Sequence, residues 1–304
     1  MRVIAPVYYK DFACIASACR HSCCIGWEVD VDTASLARYA DMTAPYAESI
    51  RSSIEGETPH FGLTEGERCP HLDGAGLCRI ITECGESALC QICRDHPRYR
   101  NYYEGVLEIG LGLSCEEAAR LALDSALGFL VSDSEDMREA EYFEEYPTEL
   151  FSDEDMGILE EKRRLLSLVC DPKMTIGKRL DILLPKRPNI EEIKELYLSL
   201  DLLDEAWSGR IKSLSAEDFA RDLGKYSVLV ERAMTALIYR HISCESFYEP
   251  ATVAAFAALS ALLIVALSPT PEDFSDTLRA YSAEVEYSTE NTEQILDFLE
   301  DLYS

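Results

Sequence analysis

The chain has 304 residues, 47% of them hydrophobic and 28% charged, with 56 acidic against 28 basic side chains and a formal net charge of -28. That composition excludes an intrinsically disordered chain, and the length allows one or two domains with a sizeable core. The charge argues against a nucleic-acid binder, since phosphate recognition needs clustered Lys and Arg, and it fits a basic, lysine-bearing partner as well as plain solubility.

In chain order, the first ten residues hold no apolar run followed by a small-residue cleavage site, so the expectation is a cytoplasmic protein whose thiols stay reduced. Ten of the twelve cysteines then fall within the first 115 residues. Ordinary buried core cysteines would not concentrate in this way. In a reducing compartment a thiolate cluster is stable chiefly as a ligand set for zinc or an iron–sulfur cluster. The adjacent pair Cys23-Cys24 adds to this, because sequence neighbours rarely reach unstrained disulfide geometry.

The first cluster reads Cys14-x4-Cys19-x3-Cys23-Cys24-x-Gly26-Trp27. It approaches the radical-SAM spacing Cys-x3-Cys-x2-Cys from Cys19 and Cys23, but Gly26 stands at the third position. Trp27 could stack on a sulfonium or ammonium or simply shield a metal. Glu28, Asp30 and Asp32 are candidate proton acceptors, although their alternation suits the exposed face of a strand. The second cluster carries Cys69-Pro70-His71-Leu72, Gly76-Leu77-Cys78-Arg79-Ile80, Cys84, Cys90-x2-Cys93-Arg94-Asp95-His96-Pro97-Arg98 and Leu113-Ser114-Cys115-Glu116-Glu117-Ala118-Ala119-Arg120. His21, His71 and His96 lie near cysteines, and for each a structural role outweighs ligation. Arg98 and Arg120 could hold a donor carboxylate or a structural acid. Between these motifs, Gly105 to Ser114 looks like a Rossmann glycine loop, but its third glycine is Ser114 and no repeated strand–helix units follow, so a nucleotide site is not expected there.

From Asp133 to Asp155 eleven acids face one Arg, which reads as a solvated linker or acidic helical surface. Beyond it the periodicity is helical. Asn189 with Glu192 forms a capping box ahead of Ile190, Ile193, Leu196, Leu200 and Leu203, with Ser208-Gly209 as the stop. A second helix is expected from about 216 to 241. Residues 251 to 268 are almost wholly apolar, yet their acidic flanks and the lack of a nearby Lys or Arg favour a buried helix over a membrane span. An amphipathic helix with Ile295, Leu296, Phe298, Leu299 and Leu302 closes the chain.

The two cysteine clusters together resemble the flagellin lysine-N-methylase family. The resemblance rests on Cys14…Cys19-x3-Cys23-Cys24-x-Gly26-Trp27, Cys69-Pro70-x-Leu72 with Gly76-Leu77-Cys78-x-Ile80, Cys93-x3-Pro97-Arg98 and Leu113-Ser114-Cys115-x-Glu117-Ala118-Ala119-Arg120. It covers about residues 7 to 122, with an echo at Glu286-Tyr287-Ser288-x-Glu290-Asn291. His96 and Glu116 depart from the family pattern, which has an aromatic residue and a proline there. The resemblance implies methylation of flagellin lysine side chains with S-adenosylmethionine as donor, and a cysteine-bound iron–sulfur cluster of the 4Fe–4S type, with zinc as the alternative. Carried over by position, the metal ligands are Cys14, Cys19, Cys23, Cys24, Cys69, Cys78, Cys93 and Cys115. They leave open two four-ligand sites or one cluster with structural remainder. Cys84 and Cys90 match less closely, and Cys170 and Cys244 lie outside the motifs.

The expected architecture is therefore mainly α: an irregular cysteine-rich metal-binding region over residues 1–130 with few short strands, and a helical bundle over 131–304 joined through an acidic linker at about 131–156. The expected function is a lysine methyltransferase with flagellin as protein substrate and no nucleic-acid or membrane partner. The competing reading is a non-enzymatic zinc or iron–sulfur module that staples a loop-rich domain. The catalytic base, the donor-binding residues and the oligomeric state are not legible.

Overall fold

The structure, a computed structural model, describes residues 1–152 and 154–303. Asp153, within the predicted acidic linker, and Ser304 lie outside the described residues. The chain divides into two compact units: one formed by Met1–Phe12, Arg100–Ser114 and Ala118–Ser304, the other by Ala13–Tyr99 with Cys115–Glu117.

The larger unit corrects the mainly-α expectation, because it is built on a five-stranded mixed sheet. In spatial order the strands are Arg98–Tyr103 (in this unit from Arg100 on), Val106–Leu111, Arg2–Pro6, Phe129–Ser132 and Glu141–Phe143. Arg2–Pro6 pairs in parallel with Val106–Leu111 and antiparallel with Phe129–Ser132, Ile4 facing Glu108 on one side and Val131 on the other. The three central strands are buried along almost their whole length. A strand covered on both faces reads as a short continuous apolar run without the alternation that marks a half-exposed strand. That explains why Val106–Leu111 can pass for part of a glycine loop. Gly105 supplies the positive φ of the turn before it, and Gly110 lies within the strand. The acidic stretch is likewise not a plain linker, since Glu141–Phe143 is the edge strand and Tyr146 and Thr148 are buried.

Helices complete this unit. Pro250–Leu267 is its central helix, 18 residues with a mean hydropathy of 2.2 and 89% buried, which is the signature of a core helix apolar all round. Helix Ser227–His241 reaches the sheet through the Tyr239 hydroxyl, which donates to the Ile4 carbonyl at 3.0 Å and the Ile109 carbonyl at 3.3 Å. The Asn189–Glu192 capping box opens Ile190–Ser199 as the sequence indicates. The stop comes earlier than Ser208-Gly209, because Asp204 caps a separate helix, Glu205–Ser213, that runs through them. The helix expected over 216–241 also breaks: the Asp222 carboxylate accepts from the Gly224 N–H at 2.9 Å and starts a short 3-10 turn before Ser227. Such local side-chain to backbone bonds compete directly with helix continuation.

The sheet and helices of this unit enclose a buried ion pair. The Lys162 ammonium donates to both Glu108 oxygens at 2.7 and 2.8 Å and to the Ile242 carbonyl at 2.9 Å, with both side chains fully buried. Tyr103, Asn101 and Tyr146 also donate to Glu108. The Lys162 nitrogen lies 4.7 Å from the Tyr239 ring centre and 5.1 Å from that of Tyr146. Burial pushes the Lys162 pKa below its ordinary value against the pull of Glu108.

The smaller unit has a three-stranded sheet, with His60–Phe61 between Val29–Asp30 and Ile54–Glu55, and short helices including Thr33–Asp41, Ala47–Ser52, Arg79–Cys84 and Gln91–Asp95. Its core gathers Val29, Tyr39, Tyr46, Ile50, Phe61, Ile80 and Leu89 with Cys90, and the half-buried Cys78, Cys84 and Cys93 pack against it.

Candidate metal centre

All ten cysteines of the sequence clusters fall in the smaller unit, and all twelve in the chain are thiols. Backbone pairing brings distant cysteines together. The Gly26 N–H donates to the Glu67 carbonyl at 2.9 Å and the Cys69 N–H to the Cys24 carbonyl at 2.8 Å, so residues 24–26 run antiparallel to 67–69. Gly26 has φ +77°, a conformation that glycine adopts without strain. Next, the Asp73 carboxylate accepts from the Ala75 and Leu77 N–H groups, each at 2.8 Å, and folds the Leu72–Gly76 loop so that Leu72 pairs with Cys78. Cys78 is thereby set at the start of helix Arg79–Cys84, and the Arg79 N–H donates to the His71 carbonyl at 2.7 Å.

Cys90 and Cys93 are set by a second cap. Cys90 precedes helix Gln91–Asp95 and Cys93 lies one turn on. The corner before it is tied to helix Thr33–Asp41: the Tyr39 hydroxyl donates to the Ala88 carbonyl at 2.9 Å, Arg38 to the Leu89 carbonyl at 2.7 Å, and the Gln91 N–H to the Asp32 carboxylate at 2.9 Å. A third contact places Cys115. The neighbouring Glu116 carboxylate accepts from the Arg20 backbone N–H at 2.8 Å, from the Arg20 side chain at 3.0 Å and from the Cys19 thiol at 3.7 Å, which holds residues 19–20 beside 115–116. The carboxylate is half-buried, and although burial opposes its charge, the Arg20 contacts hold its pKa below the ordinary value. At the departure from the family pattern, Glu116 is therefore a clamp.

Thiols meet in pairs. A hydrogen bond from Cys23 lowers the Cys24 pKa to about 7, and one from Cys93 lowers that of Cys90 to about 7, while each donor is pushed up. Burial raises Cys69 to about 11 and also raises Cys19 and Cys78. In each pair one thiol's charged form is favoured by the hydrogen bond its neighbour donates. Among the described residues no three His, Cys, Asp or Glu side chains converge at the spacing of a single ion. The donors are soft sulfur, the ligand type of zinc and iron–sulfur centres, but in this arrangement the thiols meet in pairs and not in the four-ligand sets such centres need.

The remaining candidates divide clearly. His71 is buried, its ring nitrogens lie 3.0 Å from the Tyr46 hydroxyl and 2.9 Å from that of Ser53, and burial lowers its pKa to about 4, so it acts as a neutral core residue. Burial also lowers His96 to about 4. Asp32 caps helix Thr33–Asp41, Asp30 is an exposed strand residue, and Glu28 lies 3.0 Å from the His60 ring. Arg120 pairs with Asp124 at 2.7 Å in the larger unit. Trp27 is half-buried and His21 exposed. Cys170 and Cys244 lie in the larger unit, beside the Thr235 hydroxyl and the Tyr102 carbonyl respectively. Cys90, outside the eight ligands the resemblance carries over, is buried and hydrogen-bonded to Cys93, a pairing that the Cys-x2-Cys spacing signals.

Comparison with known proteins agrees with the family resemblance drawn from these motifs. The chain is 28% identical over 130 residues to the lysine-N-methylases of Salmonella choleraesuis (strain SC-B67) and Salmonella typhimurium (strain LT2), a match covering 40% of this chain and 32% of each of theirs. It is 27% identical over 130 residues to the flagellar biosynthetic protein FliU of Salmonella muenchen, covering 40% of this chain and 77% of that protein. The match thus spans about a third of the length of the two methylases. No family model matches the chain, and no solved structure matches it.

Proposed function

We propose that this protein methylates lysine side chains of a flagellar protein, using S-adenosylmethionine as donor and a cysteine-bound iron–sulfur cluster, in the reducing cytoplasm. The observation that carries the reading is the gathering of the family's ordered cysteine motifs, otherwise spread from Cys14 to Cys115, into one compact unit. The names of the relatives supply the reaction class and the flagellar context. The net charge of -28 suits a lysine-bearing substrate by long-range attraction.

Methyl transfer to a lysine needs the neutral amine. Holding a lysine with an ordinary pKa of about 10.4 deprotonated at pH 7 costs about 4.6 kcal/mol, which desolvation by the enzyme must offset. The nitrogen lone pair then bonds to the methyl carbon as its bond to the sulfonium breaks, and the amine proton passes to a base or to water. Cys14, Cys19, Cys23, Cys24, Cys69, Cys78, Cys90, Cys93 and Cys115 are the residues that would hold the cluster. When bound, it would supply concentrated charge and redox chemistry.

The test is incubation of anaerobically purified protein with flagellin and methyl-labelled S-adenosylmethionine, followed by mass spectrometry of flagellin peptides. Label on lysine side chains, lost when flagellin lysines are blocked beforehand, is the expected result. Donor that neither binds nor transfers its methyl group would move the protein to the non-enzymatic metal module, a reading favoured by how few long elements hold the smaller unit together.

A further inference from the structure

We propose that the open edge of the five-stranded sheet, strand Glu141–Phe143, docks an extended lysine-bearing polypeptide segment that adds to the sheet as a further strand. The proposal gives the protein substrate of the lysine-methylation reading a docking surface, and rests on that reading for the source of the lysines alone.

The edge is free and fixed in place. Glu141–Phe143 pairs on one side with Phe129–Ser132, Glu141 facing Val131 and Phe143 facing Phe129, and no strand lies beyond it in the sheet. Among the described residues its outward backbone groups have no backbone partner. Such a row of unpaired groups is a template for another strand. Met137, buried and at φ +54°, closes the turn ahead of the strand by accepting from the Ala140 N–H at 3.3 Å. The Tyr142 ring lies so close over Gly128 that a Cβ there would stand 2.7 Å from it, and this packing still leaves Tyr142 59% exposed. Side chains alternate along a strand, so Tyr142 stands on one face of the sheet and Glu141 with Phe143 on the other.

Charge selects the occupant. Upstream of the edge each of three acids has its own arginine: Asp133 lies 3.4 Å from Arg2, Glu135 2.8 Å from Arg100 and Asp136 2.8 Å from Arg138. Around the edge strand the pairing stops. Glu139, Glu141, Glu144 and Glu145 are all exposed and have no cation partner among the described residues. Charged edges ordinarily keep strands apart, and these acids do so for a second copy of this chain, whose own edge carries the same four charges. For a lysine-bearing strand the sign reverses. Its ammonium groups meet unneutralised carboxylates, and the exposed Tyr142 ring offers a lysine an aromatic face. Main-chain hydrogen bonds then supply affinity and the side chains supply the preference, as in strand addition generally.

The experiment measures binding of a dye-labelled peptide of about ten residues, alternating Lys and Thr, to the full chain by fluorescence anisotropy with no methyl donor present. The Glu139→Gln/Glu141→Gln/Glu144→Gln/Glu145→Gln variant, its fold checked by circular dichroism, should bind at least about tenfold more weakly. Of two peptides N-methylated on one or the other set of alternate backbone amides, which keep every lysine and lose the donors of one edge, one should lose affinity to the same degree. Replacing four exposed acids elsewhere in the larger unit, Glu195, Glu205, Glu217 and Glu272, by Gln should change binding less than about twofold. Equal weakening by the two quadruple variants, or indifference to both methylated peptides, overturns the edge as the docking surface. Wild-type dimers in sedimentation, with the Glu141–Phe143 amides protected from hydrogen exchange, would give the edge to a second copy and overturn it as well. With S-adenosylmethionine added, edge binding without methylation of the peptide overturns the methylation reading and leaves the edge. Methylation with an unchanged KM in the edge variant overturns the edge and leaves the reading.

Discussion

Replacing Lys162 by Met should be among the most damaging single changes in the larger unit. The substitution conserves length and apolar contact with Tyr146 and Tyr239 but leaves the Glu108 carboxylate, wholly buried, without its cation. Tyr103, Asn101 and Tyr146 still donate to it, so the carboxylate keeps hydrogen bonds and loses only the charge that balances it. Breaking a buried pair from one side costs about 3–5 kcal/mol. Adding Glu108→Gln removes the orphaned charge, and the double variant should recover about 2 kcal/mol or more relative to the sum of the two single losses. The two tryptophans make the assay specific: Trp207 lies buried in the larger unit, and Trp27 is half-buried in the smaller. In a Trp27→Phe background, urea unfolding followed by the remaining fluorescence reports the larger unit alone. A Lys162→Met loss below about 1 kcal/mol, or single losses that add to within about 0.5 kcal/mol, would refute the view that the charges are desolvated and mutually dependent.

Other perturbations follow from the same geometry. Leu263→Ala, at a fully buried position of the central helix, should cost about 2–5 kcal/mol in the Trp207 assay. Glu286 is held at a pKa of about 2: burial opposes its charge, and Arg240, His241 and Ser282 outweigh that burial. Its folded pKa lies below the ordinary carboxylate value, so its contribution is fully present above about pH 4.5 and is lost as the pH falls toward 2. The lost stability is of order 3 kcal/mol in the larger unit, and Glu286→Gln should flatten that acid limb of the stability–pH curve. Asp32→Ala should destabilise the smaller unit by about 1–2 kcal/mol, read from Trp27 in a Trp207→Phe background, because the helix cap and the Gln91 contact go together. Glu116→Gln should leave both units folded while raising the alkylation rate of Cys19, whose thiol the carboxylate restrains.

Much of the helical architecture was legible because it follows local rules. The Asn189–Glu192 box depends on residues three apart, and the apolar run at Pro250–Leu267 is long enough that only a core helix or a membrane span could use it. The sheet was not legible for the opposite reason. Arg2–Pro6 finds its partners at Val106 and Phe129, more than a hundred residues away, and its five residues, the last four of them buried, carry no periodicity to announce it. The helix breaks at Leu200–Asp204 and Asp222–Gly224 are held by side-chain-to-backbone bonds, from Asp204, Glu284 and Asn291 at the first and from Asp222 at the second, that an apolar pattern does not reveal. For the thiols, spacing and resemblance pointed to the cysteine-rich segments, but how these segments meet depends on pairings such as Cys24 with Cys69 and Cys19 with Glu116 that join distant stretches of chain.

The measurement that tests the central claim most directly is metal and sulfide analysis, with a visible spectrum, of protein purified without oxygen. The account predicts bound iron with matching sulfide and broad visible absorption from thiolate-to-iron transitions. Colourless protein with stoichiometric zinc, or with thiols and no metal at all, would contradict the cluster and leave the cysteine unit a structural module.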